Sequence, residues 1–422
     1  MLLIVAASPA RGSPSTTQAN IAIGEADSLV RAWVDAERIP GAVLLVSRDA
    51  EVVFERAYGW AQLNEYEDGQ YGASAAGESR PSALRRLDHP RAMSAGTAFD
   101  LASLTKVMAT TFATMLLVDS GELDLDGPVQ QYLADFHGGG KEDISPRHLL
   151  THRSGLSQWQ PVYYSAAGAD QAYAFIRDFP LAWAVGEGRH YSDLGFMILG
   201  YAIENITGGS LDAFLQERLY GPLGLESTGF RPGSTAAPAA DATFAADAIF
   251  AATSHGNPFE HRMVHDPDFG YRIAGDPQAW NGWRDHTLAG EVNDGNAYHA
   301  FGGEAGHAGL FSTAAELRVL LQLLLNRGEY GGHRYISAEV VDTFLAPTGD
   351  GQALGWQVPD DLPEGSFEHT GFTGTYVAGI PARGMAIVLL TNRQNLGLDD
   401  RGQYPDVSEL QRAVARAVVP WR

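Results

Sequence analysis

The chain contains no cysteine, so thiol catalysis, disulfide bonds and thiolate metal sites are excluded. Lysine is nearly absent as well: of 29 basic residues only Lys106 and Lys141 are lysines, and the other 27 are arginines. Arginine cannot shed its proton at working pH, whereas lysine can in a suitable site, so each lysine asks for a reason. Positive charge is scarce overall, with 51 acidic residues setting the net charge at −22. Such a surface repels phosphate backbones and anionic bilayers, so neither nucleic acid nor a membrane surface is an expected partner. No apolar run approaches the ~20 residues needed to span a bilayer.

What remains is a 422-residue chain, 45% hydrophobic, long enough to bury a large core. A cysteine-free chain suits an oxidising compartment. The first residues, Met1-Leu2-Leu3-Ile4-Val5-Ala6-Ala7 and then Ser8-Pro9-Ala10, read as the tail of a signal peptide. A periplasmic or secreted location is therefore expected. Residues 1–20 would be a leader or a disordered segment, and 21–422 a single unit.

The coarse pattern places strands at both ends and helices between. A helix is expected near 24–37, with strands at Gly41–Ser47 and Glu51–Tyr58. Residues 65–97 and 231–300 read as irregular. Helices are expected over Ser103–Ser120, from Ser145-Pro146, over Tyr191–Ile206 and Leu211–Leu219, from a Thr313–Glu316 capping box to Asn326, and after Ser337. Strands return at Leu354–Val358, Thr375–Ile380 and Met385–Thr391, before a last helix near 407–418. The expected fold is α/β (α+β): an antiparallel sheet built from both chain ends (about 21–100 and 350–422) and flanked by helices, with an inserted mainly helical region (about 107–345).

Three short constellations carry chemistry. In Ser103-Leu104-Thr105-Lys106, helical spacing sets a hydroxyl beside an amine. Serine attacks carbonyls only when a base takes its proton, and a lysine can be that base once its pKa is lowered. In Tyr191-Ser192-Asp193, a phenol near that lysine could shuttle a proton. In His369-Thr370-Gly371, polar groups beside a strand could hold a substrate chain or carboxylate.

The order and spacing of the three resemble those of the penicillin-recognising serine hydrolases, which include class C beta-lactamases, D-Ala-D-Ala carboxypeptidases and family VIII esterases. The segments 123–133, Ile144–Leu156, Tyr191–Gly208, Tyr220–Phe230 and Gly290–Thr313 are similar too, so the likeness spans roughly residues 25–415. It implies a beta-lactamase-like catalytic unit in which Ser103 is acylated while Lys106 and Tyr191 share the acid and base work. The backbone N–H groups of Ser103 and Phe372 would form the oxyanion hole, each such donor being worth ~3 kcal/mol. Asp193, His369, Thr370 and Gly371 would bind substrate. The resemblance implies no metal and no organic cofactor, a small-molecule or peptidoglycan-peptide substrate, and a monomer.

Two positions depart from the family pattern. Asp193 stands where asparagine is usual. A carboxylate there would hold Lys106 protonated and make a Tyr191 phenolate the better base. His369 stands where lysine is commoner, and titration near pH ~6.5 would favour carboxylate substrates in mild acid. The first expectation for function is a DD-peptidase-like hydrolase of D-amino-acid peptides. The alternatives are a class C-like beta-lactamase or carboxylesterase, or a non-catalytic binding protein on the same scaffold. His255, His261, His265, His299 and His307 show no familiar zinc spacing. Asp294 and Asn296 are expected to cap a loop, with shaping of the cleft rim as the alternative, and Glu304 and His307 are expected to be structural.

Overall fold

The computed structural model describes residues 16–66, 84–230, 244, 247–266, 268–274 and 280–419. The expected leader therefore falls largely outside the described residues. Six strands form the main sheet: β1 (Gly41–Arg48), β2 (Glu51–Tyr66), β3 (Leu84–Ala92), β4 (Phe367–Thr370), β5 (Thr375–Ile380) and β6 (Met385–Thr391). Their order is β4-β5-β6-β1-β2-β3, with every neighbouring pair antiparallel. The two chain ends meet at the centre, where Leu44 of β1 lies opposite Leu389 of β6.

The central strands are apolar on both faces, as strands sandwiched between helical layers must be. Val43, Leu45, Val388 and Leu390 join the larger core on one side, and Leu44, Val46, Ile387 and Leu389 join a second core on the other. The second core is covered by α1 (Thr16–Asp35), through Ala26, Val30 and Trp33, and by the C-terminal helix, through Leu410 and Val414. Both sets follow helical spacing. The larger core holds the helical region: α2 (Thr111–Asp119), α3 (Asp193–Thr207), α4 (Pro258–His265), α5 (Gly295–Phe301) and α6 (Ala314–Leu325), followed by the C-terminal α7 (Ser408–Val418).

Several expectations shift. The first helix begins at Thr16, because its early residues are too polar to show a periodic apolar face. Part of the expected 65–97 loop is strand β3, an edge strand whose residues are all partly or fully exposed and so carry no alternating signal. Leu354–Val358 makes only isolated bridges. Thr313 does cap α6, accepting from the Glu316 N–H, but the Glu316 carboxylate turns instead to Ser227 and Thr228. Ser145 and Ser337 cap their helices as expected. No helix among the described residues is long and apolar enough to cross a membrane.

Candidate active site

Ser103 stands just before its helix, in a turn that sequence reading took as helical. Ala102 has φ +46°, a left-handed conformation that costs a non-glycine residue about 1–3 kcal/mol. The strain is held by Asp100, whose carboxylate accepts from the Ala102 N–H at 2.8 Å and from the Asn293 N–H at 2.5 Å. The turn then closes with the Lys106 N–H donating to the Ser103 carbonyl at 3.0 Å. A π-helical stretch, Lys106–Thr110, follows, with the Thr111 N–H and hydroxyl both donating to the Lys106 carbonyl. Wide turns of this kind recur at functional sites.

The Lys106 side chain is fully buried. Its ammonium lies 3.0 Å from Ser103 Oγ, 3.1 Å from the His307 carbonyl and 2.6 Å from Asp193 Oδ1. Burial alone would depress its pKa. The charge of Asp193 and the surrounding hydrogen bonds outweigh that, so Lys106 is held above the usual lysine range. Asp193 can do this because it opens α3, whose N-cap Ser192 accepts from the Gly195 N–H. In this respect the structure agrees with the expected effect of a carboxylate at position 193.

Tyr191 is hydrogen-bonded to Ser103 and Lys106. Burial raises its pKa although the Lys106 charge opposes this, so the resting group is a phenol and not the phenolate the sequence suggested. His152, which sequence reading left without a role, packs on the Tyr191 ring at 4.4 Å and accepts from the Ser192 N–H at 3.1 Å.

The His369-Thr370-Gly371 segment ends β4 beside this cluster. A Cβ on Gly371 would sit 2.4 Å from the Leu101 carbonyl, so only glycine lets this turn approach the nucleophile turn. Thr373 and Thr375 fix the approach by donating to the carbonyls of Asp100 and Leu101. The next residue, Phe372, is tied through its carbonyl to the Arg393 guanidinium. The N–H groups of Ser103 and Phe372 donate to no described residue, which leaves both open to a ligand.

His369 is 1% exposed, and burial together with the nearby Lys106 charge pushes it down to about 3. It is neutral across the range in which the sequence expected it to titrate. KM for a carboxylate-bearing substrate should therefore stay flat between about pH 5.5 and 8 so far as His369 is concerned. A steady tenfold rise over that range would restore a charged His369.

These residues line one pocket of about 570 Å³. Ser103, Tyr191, Asp193, His369, Thr370, Gly371 and Phe372 all reach it. So do three groups that sequence reading placed in structural roles or did not single out: Asp294, His307 and Glu260. Asp294 both caps α5 and accepts from His307 Nε2 at 2.9 Å. Burial, with the charge of Asp294, pushes the Glu260 carboxyl up. Asn296 and Glu304 are structural: Asn296 bonds to the backbone of Gln160 and Val162, and Glu304 accepts from the Asp212 N–H. The other lysine, Lys141, is not among the pocket-lining residues.

Asp100 is the strongest of the missed residues. It joins the nucleophile turn, the Asn293–Asp294 wall and, through its carbonyl, the Phe372 turn. Burial pushes its carboxyl up to about 6. The ionised clamp should fail as pH falls through that value, giving kcat an acid limb near it. Asp100→Asn keeps the size but presents an N–H to one of the two donors. Its kcat is expected to fall at least about tenfold and to lose that limb, with one orphaned donor costing about 1–3 kcal/mol. An unchanged profile would remove Asp100 from this role.

Comparison with known proteins gives this geometry its context. The family model described as Beta-lactamase matches residues 26–411. An N-acetylmuramyl-L-alanine amidase of Bacillus subtilis is 32% identical over 406 residues, covering 89% of this chain and 82% of that one. A chain of Escherichia coli O157:H7, provisionally named a D-alanyl-D-alanine carboxypeptidase, is 30% identical over 420 residues, covering 92% and 86%. A solved class C beta-lactamase superposes with a TM-score of 0.64 at 18% identity, covering 97% and 98%, a likeness of fold alone. With the family model running through nearly the whole length, and the serine–lysine, tyrosine and His-Thr-Gly elements gathered in one pocket, the chain belongs to the beta-lactamase family.

Proposed function

We propose that the chain is a serine hydrolase that cleaves a peptidoglycan-type amide through an acyl-enzyme on Ser103. The observation that carries this is the Ser103 hydroxyl, 3.0 Å from the Lys106 ammonium in a pocket whose lining residues include Ser103 and Phe372, the backbone N–H groups of which donate to no described residue. In the resting protein Lys106 is an ammonium and cannot take a proton. Substrate excludes water and disfavours the buried charge, so Lys106 sheds its proton to solvent and frees the amine. The amine takes the Ser103 proton as the Ser103 oxygen bonds to the carbonyl carbon. The Ser103 and Phe372 N–H groups hold the oxyanion. The C–N bond then breaks, and Tyr191 delivers a proton to the departing nitrogen, regaining one from Lys106. Water reverses the sequence and frees Ser103.

The first substrate reading is a D-amino-acid peptide, in line with the carboxypeptidase name of the Escherichia relative. A second reading is a muramyl–L-alanine amide, in line with the Bacillus relative. One observation favours it. Among the pocket-lining residues Asp193, Glu260 and Asp294 are acidic, His369 is neutral, and the Arg393 guanidinium is engaged by the carbonyls of Phe372 and Pro405. That lining suits a muramyl peptide, in which the L-alanine carboxyl is itself in peptide linkage and no free carboxylate stands beside the scissile bond.

The test is product analysis after incubation with a peptide ending in D-Ala-D-Ala, with N-acetylmuramyl-L-alanyl-D-isoglutamine and with a small ester, using wild type and Ser103→Ala. Wild type should cleave at least one amide and the variant none. Equal cleavage by the variant would refute the acyl-enzyme reading, and release of D-alanine or of L-alanyl-D-isoglutamine decides between the two substrates.

A further inference from the structure

Three large hydrophobic side chains are exposed among the described residues: Val52, Tyr271 and Phe372. Two of them, Tyr271 at 37% and Phe372 at 39%, line the pocket that holds Ser103. With the other large apolar groups among the described residues, Val52 aside, at least partly buried, two exposed rings at one site mark a binding surface.

Neither ring sits on a loose segment. The loop carrying Tyr271 is tied on its far side by buried Gln160, which donates to the Arg272 carbonyl at 3.0 Å and accepts from the Ala274 N–H at 2.9 Å. Before it, Gly270 has φ +73°, and a Cβ there would lie 2.7 Å from Met263 Sδ, so glycine seats the loop on α4. Phe372 is held edge-on by Phe259 at 5.1 Å and by Tyr404 at 5.8 Å.

The same pocket carries polar groups with nothing to bind. Gln411 is 4% exposed, yet its carboxamide makes no hydrogen bond with a described residue, and neither does that of Gln357. A purely apolar acyl group would leave these amides unpaired, which is costly. A bare dipeptide would occupy little of about 570 Å³. A pyranose suits both features, with its C–H face on the rings and its hydroxyl or acetamido edge on the amides.

We infer that Tyr271 and Phe372, with Gln357 and Gln411, form a subsite for the ring of an N-acetylated amino sugar carried by the substrate. This rests on the reading of the substrate as a peptidoglycan-type amide. The ring stacks beside Ser103 while its polar edge takes up the free carboxamides.

The test uses Ser103→Ala, which cannot acylate, and titrates it calorimetrically with N-acetylmuramyl-L-alanyl-D-isoglutamine and with N-acetyl-L-alanyl-D-isoglutamine, the same peptide without the sugar. The sugar compound is expected to bind at least tenfold tighter. Adding Tyr271→Ala should remove most of that advantage and Gln411→Leu part of it, while Tyr271→Phe keeps it. Equal affinity for the two compounds, or an advantage untouched by Tyr271→Ala and Gln411→Leu alike, overturns the subsite. Failure of the acyl-enzyme reading shows elsewhere, as a small ester that wild type hydrolyses no faster than Ser103→Ala.

Discussion

Replacing Lys106 by arginine should lower kcat/KM about 10²–10⁴-fold, the range over which a positioned acid or base contributes. The substitution keeps the positive charge opposite Asp193 and so isolates the one property arginine lacks, the ability to give up a proton. The chain otherwise uses arginine for 27 of its 29 basic residues, so a general preference for lysine does not explain position 106. The measurement is steady-state hydrolysis of the substrate established for wild type, with a thermal melt to check the fold. Activity within threefold of wild type would reduce Lys106 to a fixed counter-charge.

Asp193→Asn should move the acid limb of kcat/KM downward by at least about one pH unit, because burial then acts on Lys106 without the carboxylate that offsets it. At a pH on the wild-type limb that is about a tenfold gain in the fraction of neutral amine. The same substitution bears on stability, and the sign follows from linkage. In wild type the Lys106 pKa is raised on folding, so its stabilising contribution is fully present below the unfolded value of ~10.4 and is lost as pH rises through the folded value. Without Asp193, folding must bury an unpaired ammonium, at about 3–5 kcal/mol, or strip its proton. The loss in Tm should be large at pH 6 and shrink toward pH 10, where the unfolded lysine is itself losing its proton. A pH-independent loss would point to packing instead.

Legibility in the sequence followed the range of the interactions. Ser103 and Lys106 are three residues apart, and their contact is a property of a single turn. The sheet from both chain ends was readable because β1, β5 and β6 are continuous apolar runs. Strand β3 was not, since an edge strand open to solvent needs no apolar face. The pocket walls were not readable either. Asp100 sits among apolar residues, and its role depends on an N–H almost 200 positions away at Asn293. Tyr271 lies in a segment of scattered glycine, proline and histidine, where only the fold reveals that Gln160 pins the chain. The neutral state of His369 was also hidden, because a pKa is set by burial and neighbouring charge and not by residue type.

The central claim is that Ser103 becomes acylated, and the most direct measurement is the intact mass of wild type and Ser103→Ala after brief exposure to a simple penicillin and to an activated ester. The mechanism above predicts an added acyl mass on wild type from at least one reagent, mapped to the peptide containing Ser103, and none at that site in the variant. An adduct of the same size and yield on Ser103→Ala, or one on wild type that maps to another residue, would contradict it.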